Sequence, residues 1–216
     1  MSELVTAAAF LLSLNDTPQL AVHFKIAPDW HIYWENPGDS GLATELEAPG
    51  LTEVRYMGPE KIIAAGNIVN YGYHQQTVMF AEVKKDFAAD TPINLSWLVC
   101  KADQCIRQKT TVKAKKGDEK KNKQLQESFS QLPKPLPPQV SITQEKTNVW
   151  FTWPAKTTIE LFPNADLEMQ LTKANVVQEE QSTTLHLVLQ QESTMAKGGL
   201  ISVQTTQGTE YYLLSF

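Results

Sequence analysis

The sequence contains only two cysteines among its 216 residues, and it has no long hydrophobic run. The longest candidate, AAAFLL at residues 7–12, is far shorter than the roughly 20 apolar residues that span a bilayer. It also lacks the basic flank that precedes the apolar part of a signal peptide. We therefore expect a soluble chain without a transmembrane segment, from which any export signal has been removed.

A concentrated basic surface is missing as well. The formal net charge is −5, from 19 Lys and Arg against 24 Asp and Glu. Phosphate backbones are bound by clustered Lys and Arg side chains, so this composition argues against a nucleic-acid partner. The rest of the composition, 42% hydrophobic with five tryptophans, is typical of a globular protein of one or two domains.

Alternating apolar and polar residues predict β-strands along most of the chain. In LAVHFKI, residues 20–26, the even-numbered side chains are apolar, which is the period-two pattern of a half-buried strand. The preceding VTAAAFLLSL and the turn NDTP complete a predicted hairpin. Further strands are predicted at 77–83, 93–100, 105–114, 148–154, 158–163, 184–190, 200–205 and 210–216. Short strands separated by Gly- and Pro-containing turns favour a β-sandwich.

A polar and then proline-rich segment divides the pattern in two. Leu125, Phe129 and Leu132 have the spacing of a short amphipathic helix, which Pro133 ends. The following PKPLPP predicts a semi-rigid, extended linker. We therefore predict a first domain at 1–124, a helix and Pro-rich linker at 125–140, and a second, small β-sandwich domain at 141–216.

Both cysteines lie in one predicted hairpin, at Cys100 and Cys105, with the loop KADQ between them. Directly opposed strand residues are close enough for a disulfide, but closing so short a loop stabilises the fold by only roughly 2 kcal/mol. The spacing alone leaves three alternatives: a redox-active pair, a structural hairpin disulfide, and a metal site. The metal site is the weakest of these, because two cysteines are only half a zinc site and no histidine is near in sequence.

Two aromatic stretches have both a structural and a functional interpretation. PDWHIYWENPGDSG at 28–41 predicts core aromatics before a tight turn, or an aromatic surface near a site. NIVNYGYHQQ at 67–76 predicts a loop entering a strand, or a tyrosine-bearing flap over a reactive group. For the scattered histidines we expect structural or surface roles. These are His23, His31, His74 and His186.

Three motifs together resemble the periplasmic N-terminal region of the DsbD/ScsB family of membrane-embedded thiol:disulfide interchange proteins. They are WHIYWENPGDSGL, VNYGYHQQTVMF and WLVCKADQCI. The proline-rich linker, IELFP and EYYLLSF extend the resemblance over nearly the whole chain and favour the ScsB-like branch. The sequence differs from classical DsbD in having IVNYGY where the family has an acidic-aromatic cap. It also lacks transmembrane segments and a CxxC thioredoxin motif.

The resemblance implies an all-β fold of two immunoglobulin-like β-sandwich domains with a redox-active pair, Cys100 and Cys105. By position in the family, Cys105 attacks the partner disulfide and Cys100 resolves the mixed disulfide. The residues expected to form a cap loop over the disulfide are Val69, Asn70, Tyr71 and Tyr73. The residues expected on the partner-binding surface are Trp30, Tyr33, Lys101 and Asp103.

The resemblance also implies partners and a compartment. The expected activity is protein-disulfide reduction in the periplasm, within the soluble part of an inner-membrane protein. Expected partners are a membrane-embedded reductase domain, a thioredoxin-like domain of the same or another chain, and thioredoxin-fold disulfide isomerase-like proteins. No cofactor is expected beyond the disulfide itself, and no metal. The resemblance also associates the chain with cytochrome c biogenesis and copper tolerance.

Two alternative functions stay open. The first is a non-catalytic β-sandwich interaction module with a structural disulfide. The second is a copper-tolerance-related protein that binds Cu(I) through its thiols and the sulfur atoms of Met57 and Met79, since soft sulfur ligands suit this ion.

Overall fold

The computed structural model describes residues 4–14, 16–102, 104–195 and 198–216. The chain divides into two compact units, Met1–Leu132 and Pro133–Phe216. Each unit contains two β-sheets whose inward side chains form a shared core. The predicted all-β, immunoglobulin-like class is therefore confirmed.

The first unit has eleven described strands, a 3-10 turn and one helix. They are β1 Val5–Leu14, β2 Thr17–Ile26, β3 His31–Gly38, β4 Glu45–Glu47, β5 Leu51–Tyr56, β6 Glu60–Ala64, the 3-10 turn Ala65–Asn67, β7 Ile68–His74, β8 Gln76–Val83, β9 Ile93–Lys101, β10 Gln104–Val112, β11 Ala114–Lys116 and α1 Glu119–Ser130. One sheet has the order β11-β1-β2-β8-β5. The other has the order β10-β9-β3-β7-β6, with β4 paired to β9. We call the second one the cysteine sheet, because β9 and β10 carry Cys100 and Cys105.

Side-chain alternation explains how the first unit builds its core. Phe24 on β2 points between the sheets and meets Trp97 of β9 edge-on, with ring centroids 5.6 Å apart. Phe80 on β8 points to the other face of its sheet, where Phe129 of α1 packs edge-on at 5.2 Å. Strand β2 is therefore buried on both faces, and not on one face as its alternation predicted, because α1 covers the second face.

Helix α1 is part of the first unit rather than of a linker. It begins earlier than the sequence predicted, because the side chain of Asp118 caps it by accepting a 2.7 Å hydrogen bond from the Lys121 backbone N–H. Leu125 and Leu132 are buried against the outer face of the β1–β2–β8 sheet. The predicted boundary at 124 would therefore remove side chains that cover this face.

In its described residues the second unit has eight strands and one short helix. They are β12 Lys134–Pro135, β13 Ser141–Glu145, β14 Asn148–Trp153, β15 Ile159–Pro163, α2 Ala165–Gln170, β16 Leu171–Gln178, β17 Thr183–Leu189, β18 Gly199–Thr205 and β19 Gly208–Leu214. The sheets have the orders β12-β19-β18-β15 and β13-β14-β17-β16. Their facing residues, among them Phe151, Leu187 and Ile201, form one buried cluster.

The proline-rich segment belongs to this second unit. Lys134 and Pro135 pair in parallel with Tyr212 and Leu213 of β19, and Leu136 packs against the core cluster. This pairing replaces the extended linker that the prolines predicted. Proline is tolerated here because β12 is an edge strand, where a missing N–H breaks no interior ladder.

Candidate functional site

The two cysteines form a disulfide at the end of the β9–β10 hairpin. Cys100 and Cys105 are register partners, with an S–S distance of 2.04 Å and a Cα–Cα distance of 4.2 Å. The spacing of the Cα atoms is that of a non-hydrogen-bonded antiparallel pair, in which side chains approach most closely. Since Lys101 also pairs with Gln104, only positions 102 and 103 separate the paired residues. The predicted four-residue loop is thus wrong.

The two cysteines differ sharply in exposure. Cys100 has a relative exposure of 1%, whereas Cys105 is exposed. Their positions in the sheet explain the difference, because β9 lies between β10 and β3 while β10 is at the edge of the sheet. A partner thiolate or disulfide approaching from solvent therefore meets Cys105 first.

The burial of Cys100 is unusual for its face of the sheet. Along β9, the side chains of Ile93, Leu95, Trp97 and Val99 face the core and are buried. Asn94, Ser96, Leu98 and Cys100 alternate to the outer face, and the first three are at least partly exposed. Side chains on the outer face must therefore cover Cys100.

His31 and His74 lie in the same row of the cysteine sheet as the disulfide. His31 on β3 pairs with Cys100 on one side and with His74 of β7 on the other. Register partners place their side chains on the same face, with Cβ atoms roughly 4.5–5.5 Å apart. The row therefore reads Cys105, Cys100, His31, His74 across four strands, and His31 is the register neighbour of the buried cysteine.

Aromatic and acidic groups complete this cluster. The His31 ring meets His74 at a centroid distance of 5.6 Å and Tyr33 at 5.1 Å. His31 Nε2 lies 3.3 Å from Tyr33 Oη, and His74 Nδ1 lies 2.9 Å from a Glu60 carboxylate oxygen. We call His31, Tyr33 and His74 the imidazole cluster.

Burial shifts two acid–base equilibria in the cluster. Desolvation, with a smaller contribution from the charge of His74, lowers the pKa of His31 below its ordinary value of 6.5. Desolvation also raises the pKa of Tyr33 above 10.0. His31 is therefore neutral at pH 7 and has a lone pair that can accept a proton.

The predicted cap residues lie in strand β7 and not in a loop. Tyr71 and Tyr73 alternate to the face opposite His74. Tyr73 is 5% exposed and donates a 2.7 Å hydrogen bond to the Met57 carbonyl oxygen. Tyr71 meets the buried Trp34 ring edge-on at 6.4 Å. Tyr73 is therefore a core residue, whereas Tyr71 is partly exposed on the same face. Because this face is opposite the one that carries the disulfide, the structure does not support the prediction that one of these rings shields it.

The other two predicted cap residues hold a neighbouring turn in place. Asn70 Oδ1 accepts 3.0 Å hydrogen bonds from the backbone N–H and the hydroxyl of Ser40. The Val69 backbone N–H donates to the Asp39 carboxylate at 2.7 Å, and its carbonyl oxygen accepts from the Asp39 N–H at 2.8 Å. The turn therefore docks onto β7 from the outer face.

This turn covers Tyr33. Gly41 has φ +103° and packs so closely on the Tyr33 ring that a Cβ atom there would overlap it. Only glycine fits both this backbone conformation and this contact. The PGDSG turn packs on the imidazole cluster through the Tyr33 ring, and together they form one outer layer beside the disulfide.

The predicted partner surface is brought together only in part. Lys101 is exposed, and its Nζ lies 2.9 Å from the carboxylate of Asp29 near the hairpin end. Trp30 is partly exposed. Tyr33 is 3% exposed and therefore lies beneath the surface. Asp103 lies outside the described residues.

Two histidines lie beside the disulfide that no sequence pattern had placed there. His31 and His74 were expected to be structural or surface residues, and no sequence motif joins them to Cys100. Only the register of β3 against β7 and β9 brings them together. The sequence does show that His31 and Tyr33, two residues apart on one predicted strand, lie on the same face of a sheet. It does not show which residues of the neighbouring strands lie beside them, because that depends on the register.

The arrangement gives little support to a metal centre. Within the described ranges, no group of three or more His, Cys, Asp or Glu side chains is placed to bind a metal ion. Met79 is 1% exposed on β8 in the other sheet, and Met57 packs against the cluster beneath α1. The two methionine sulfurs thus belong to the packing of the first unit and form no cluster with the cysteines. Nor does any helix in the described part of the chain have the length and apolarity that a membrane span requires.

Comparison with known proteins gives two kinds of match. Residues 3–116 match the family described as thiol:disulfide interchange protein DsbD, N-terminal. The crystal structure of the N-terminal periplasmic domain of ScsB from Proteus mirabilis superposes with a TM-score of 0.69 at 15% identity. The match covers 98% of this chain and 92% of that chain, so the two share a fold over both units.

A second solved structure is more distant. The reduced N-terminal domain of DsbD from Neisseria meningitidis matches with a TM-score of 0.35 at 14% identity, over 51% of this chain and 86% of that chain. No curated protein sequence matches the chain.

Proposed function

Because this chain belongs to the DsbD N-terminal family of thiol:disulfide interchange proteins, we propose that its Cys100–Cys105 pair passes reducing equivalents to disulfide-containing proteins of the periplasm. The source of the electrons is a membrane-embedded reductase domain, reached directly or through a thioredoxin-like domain. The observation that carries the proposal is the asymmetric disulfide, with Cys105 exposed at a sheet edge and Cys100 buried beside it.

The asymmetry divides the exchange reaction between the two sulfurs. In the reduced protein, the Cys105 thiolate attacks one sulfur of the partner disulfide, and the other partner sulfur leaves as a thiolate. Cys100 then attacks Cys105 Sγ, and the partner's first sulfur leaves. Two electrons pass to the partner, and the Cys100–Cys105 bond forms.

A purely structural role explains the hairpin less well. Strands β9 and β10 already pair along their whole length, from Ile93 and Val112 to Lys101 and Gln104. A crosslink at the end of such a ladder closes a very short loop, for which the chain-entropy contribution is only roughly 2 kcal/mol. An exposed sulfur is, in addition, open to exchange with other thiols.

The partners that suit this site have an exposed reactive sulfur on a protruding surface. A thioredoxin-fold protein, which presents such a sulfur at a helix N-terminus, fits an edge strand whose cysteine faces solvent. The periplasm suits the proposal because disulfides form and persist there, and because the ScsB domain with the same fold is described as periplasmic.

The reduction potential of the pair tests this function. The protein is equilibrated with glutathione or dithiothreitol buffers, the free thiols are alkylated, and the reduced fraction is read by mass spectrometry. Structural disulfides of secreted proteins lie below about −300 mV, and exchange proteins lie above that value. We expect a potential above it. The Cys100→Ser/Cys105→Ser double variant is the blank, and a potential below that mark would identify a structural crosslink.

A further inference from the structure

The imidazole cluster gives the buried cysteine a proton partner. Cys100 lies between Cys105 and His31 in one row of the cysteine sheet. During exchange it must exist as a thiolate, yet a charged sulfur at a position 1% exposed is strongly disfavoured without a nearby positive charge. Cys105 needs no such help, because water reaches it.

We infer that His31 takes the proton of the Cys100 thiol and stabilises its thiolate as an imidazolium–thiolate pair. This inference rests on the proposed exchange function and assigns the acid–base group that works with the resolving sulfur. Its basis is the register that places His31 and Cys100 on the same face of adjacent strands.

The other ionisable groups near His31 favour this assignment. On its own strand the Tyr33 hydroxyl is 3.3 Å from His31 Nε2. From β7, His74 faces it and is itself paired with Glu60 of β6. From β9 and β10 come Cys100 and Cys105, and the Lys101–Asp29 ion pair lies near the same end of the hairpin.

His31 is suited to accept a proton before the step. Its pKa is lowered by burial and by His74, so the ring is neutral at pH 7. When Nε2 carries the ring proton and donates it toward Tyr33 Oη, the lone pair is on Nδ1. Once His31 becomes positive, the neighbouring His74 ring could add a second positive charge. The carboxylate of Glu60, which is paired with His74, supplies a negative charge that counteracts this repulsion.

The reaction balances with this proton partner included. Cys105 first forms a mixed disulfide with the partner, and the partner's second sulfur leaves as a thiolate. His31 then takes the proton of Cys100, whose thiolate attacks Cys105 Sγ. The bond between Cys105 and the partner breaks, and the departing partner thiolate takes the proton from the His31 imidazolium. His31 ends neutral, two electrons have passed to the partner, and no other oxidant or reductant is required.

Reaction of the fully reduced protein with 5,5′-dithiobis(2-nitrobenzoate) separates the two sulfurs. The first release of the coloured thiolate reports attack by Cys105, and the second reports resolution by Cys100. In His31→Gln we expect an unchanged first phase and a second phase slowed about tenfold or more at pH 7, a conservative share of what a general base contributes. His186→Gln in the second unit is the control and should match the wild type in both phases.

The pH dependence gives a readout that a merely structural role would not change. In the wild type the second phase should accelerate as pH rises through the ionisation of His31 and then level off. In His31→Gln it should keep rising toward the ordinary range of a free thiol, about 8.5. The single-cysteine variant Cys105→Ser, read by thiolate absorbance, should show a Cys100 pKa that increases when His31 is replaced.

Two outcomes would overturn the inference. One is a His31→Gln protein with native stability and an unchanged second phase. The other, which holds even if that variant does not fold, is a wild-type second phase that keeps rising with pH up to the ordinary range of a free thiol, about 8.5, with no level region below it. Failure of the proposed function is distinguishable from both, because it appears as a reduction potential below about −300 mV in the unaltered protein.

Discussion

Cys100 and Cys105 lie 4.2 Å apart at Cα on adjacent strands, and only Cys105 is exposed to solvent. This relationship makes the two single-cysteine variants chemically unequal. In Cys100→Ser the remaining thiol is at the sheet edge, and in Cys105→Ser it is beneath the outer layer.

We expect Cys100→Ser to form a mixed disulfide with an aromatic disulfide reagent at least about tenfold faster than Cys105→Ser, a barrier difference of about 1.4 kcal/mol. The measurement is the rate of thiolate release at pH 7, with the adduct located by mass spectrometry. Equal rates for the two variants would contradict the assignment of Cys105 as the attacking sulfur.

Tyr73 should govern stability and not the reactivity of the disulfide. Its ring is buried in the core and its hydroxyl is bonded to the Met57 carbonyl, so Tyr73→Ala should lower the free energy of unfolding by about 3–5 kcal/mol, as for other large aromatic truncations. The rate at which dithiothreitol reduces the disulfide should stay near the wild-type rate under native conditions. Tyr73→Phe, which keeps the ring, is the matched control for lost packing. Faster reduction at unchanged stability would restore the original idea of a tyrosine cap.

Gly41 should govern access to the disulfide instead. A Gly41→Ala side chain overlaps the Tyr33 ring, which must then move in the layer beside Cys100. We expect faster reduction of the disulfide by dithiothreitol together with lower stability. Gly66→Ala is the matched control, because Gly66 also has a positive φ of 81° but has nothing within 4 Å of its added methyl group. If both variants are reduced at the same rate, the turn does not shield the disulfide.

The boundary of the first unit can be tested by truncation. Residues 1–132 keep Leu125 and Leu132, which cover the outer face of the β1–β2–β8 sheet, whereas residues 1–124 lose both. Each buried leucine contributes about 1.5–3 kcal/mol. The longer chain should therefore have a free energy of unfolding that is larger by several kcal/mol, and it should unfold at a higher urea concentration. Indistinguishable urea curves would show that α1 adds nothing to this unit.

Acid should weaken the first unit through His23. Lys121 Nζ donates a 2.8 Å hydrogen bond to His23 Nδ1, and burial is the main cause that lowers the pKa of His23 below 6.5. A lowered pKa means that its stabilising contribution is complete above pH 6.5 and is lost as pH falls through the folded-state value. The urea midpoint of the wild type should therefore fall below pH 6.5, and less steeply in His23→Gln. The pKa of His31 is also lowered by burial, so His31 contributes to the slope that stays in the variant. A slope unchanged in His23→Gln would contradict this assignment.

The sequence predicted the strands with a clear alternation of buried positions, and it missed two exposed strands of the second unit. NVWFTW and TLHLVL have a clear period of two, and they form β14 and most of β17, in which buried and partly exposed positions alternate. Strand β13 is exposed at every position, and β16 is exposed at most of them. Edge strands of this kind are held by backbone pairing to one neighbour, and backbone pairing has no side-chain signature.

The candidate site shows the same division. The expectation of a hairpin was sufficient to place Cys100 opposite Cys105, because the two residues are close in sequence. The neighbours of Cys100 on its other side depend on long-range register, because β3 and β7 join the sheet from far along the chain. A one-residue change of register would place Tyr73 in the row of the disulfide and His74 in the core. The sequence pattern did not exclude that arrangement.

The short strand β11 has a consequence for the order in which the first unit forms. Its three residues pair in parallel with β1, so that Ala9 lies beside Ala114. The paired residues are separated in sequence by most of the length of the first unit. Contacts of such long sequence separation form slowly, whereas a tight hairpin forms in roughly 1–10 μs. We therefore expect Cys100 and Cys105 to meet before the sandwich around them is closed. An oxidising catalyst can join them in a nascent chain, and the outer layer then assembles over a sulfur pair that is already made.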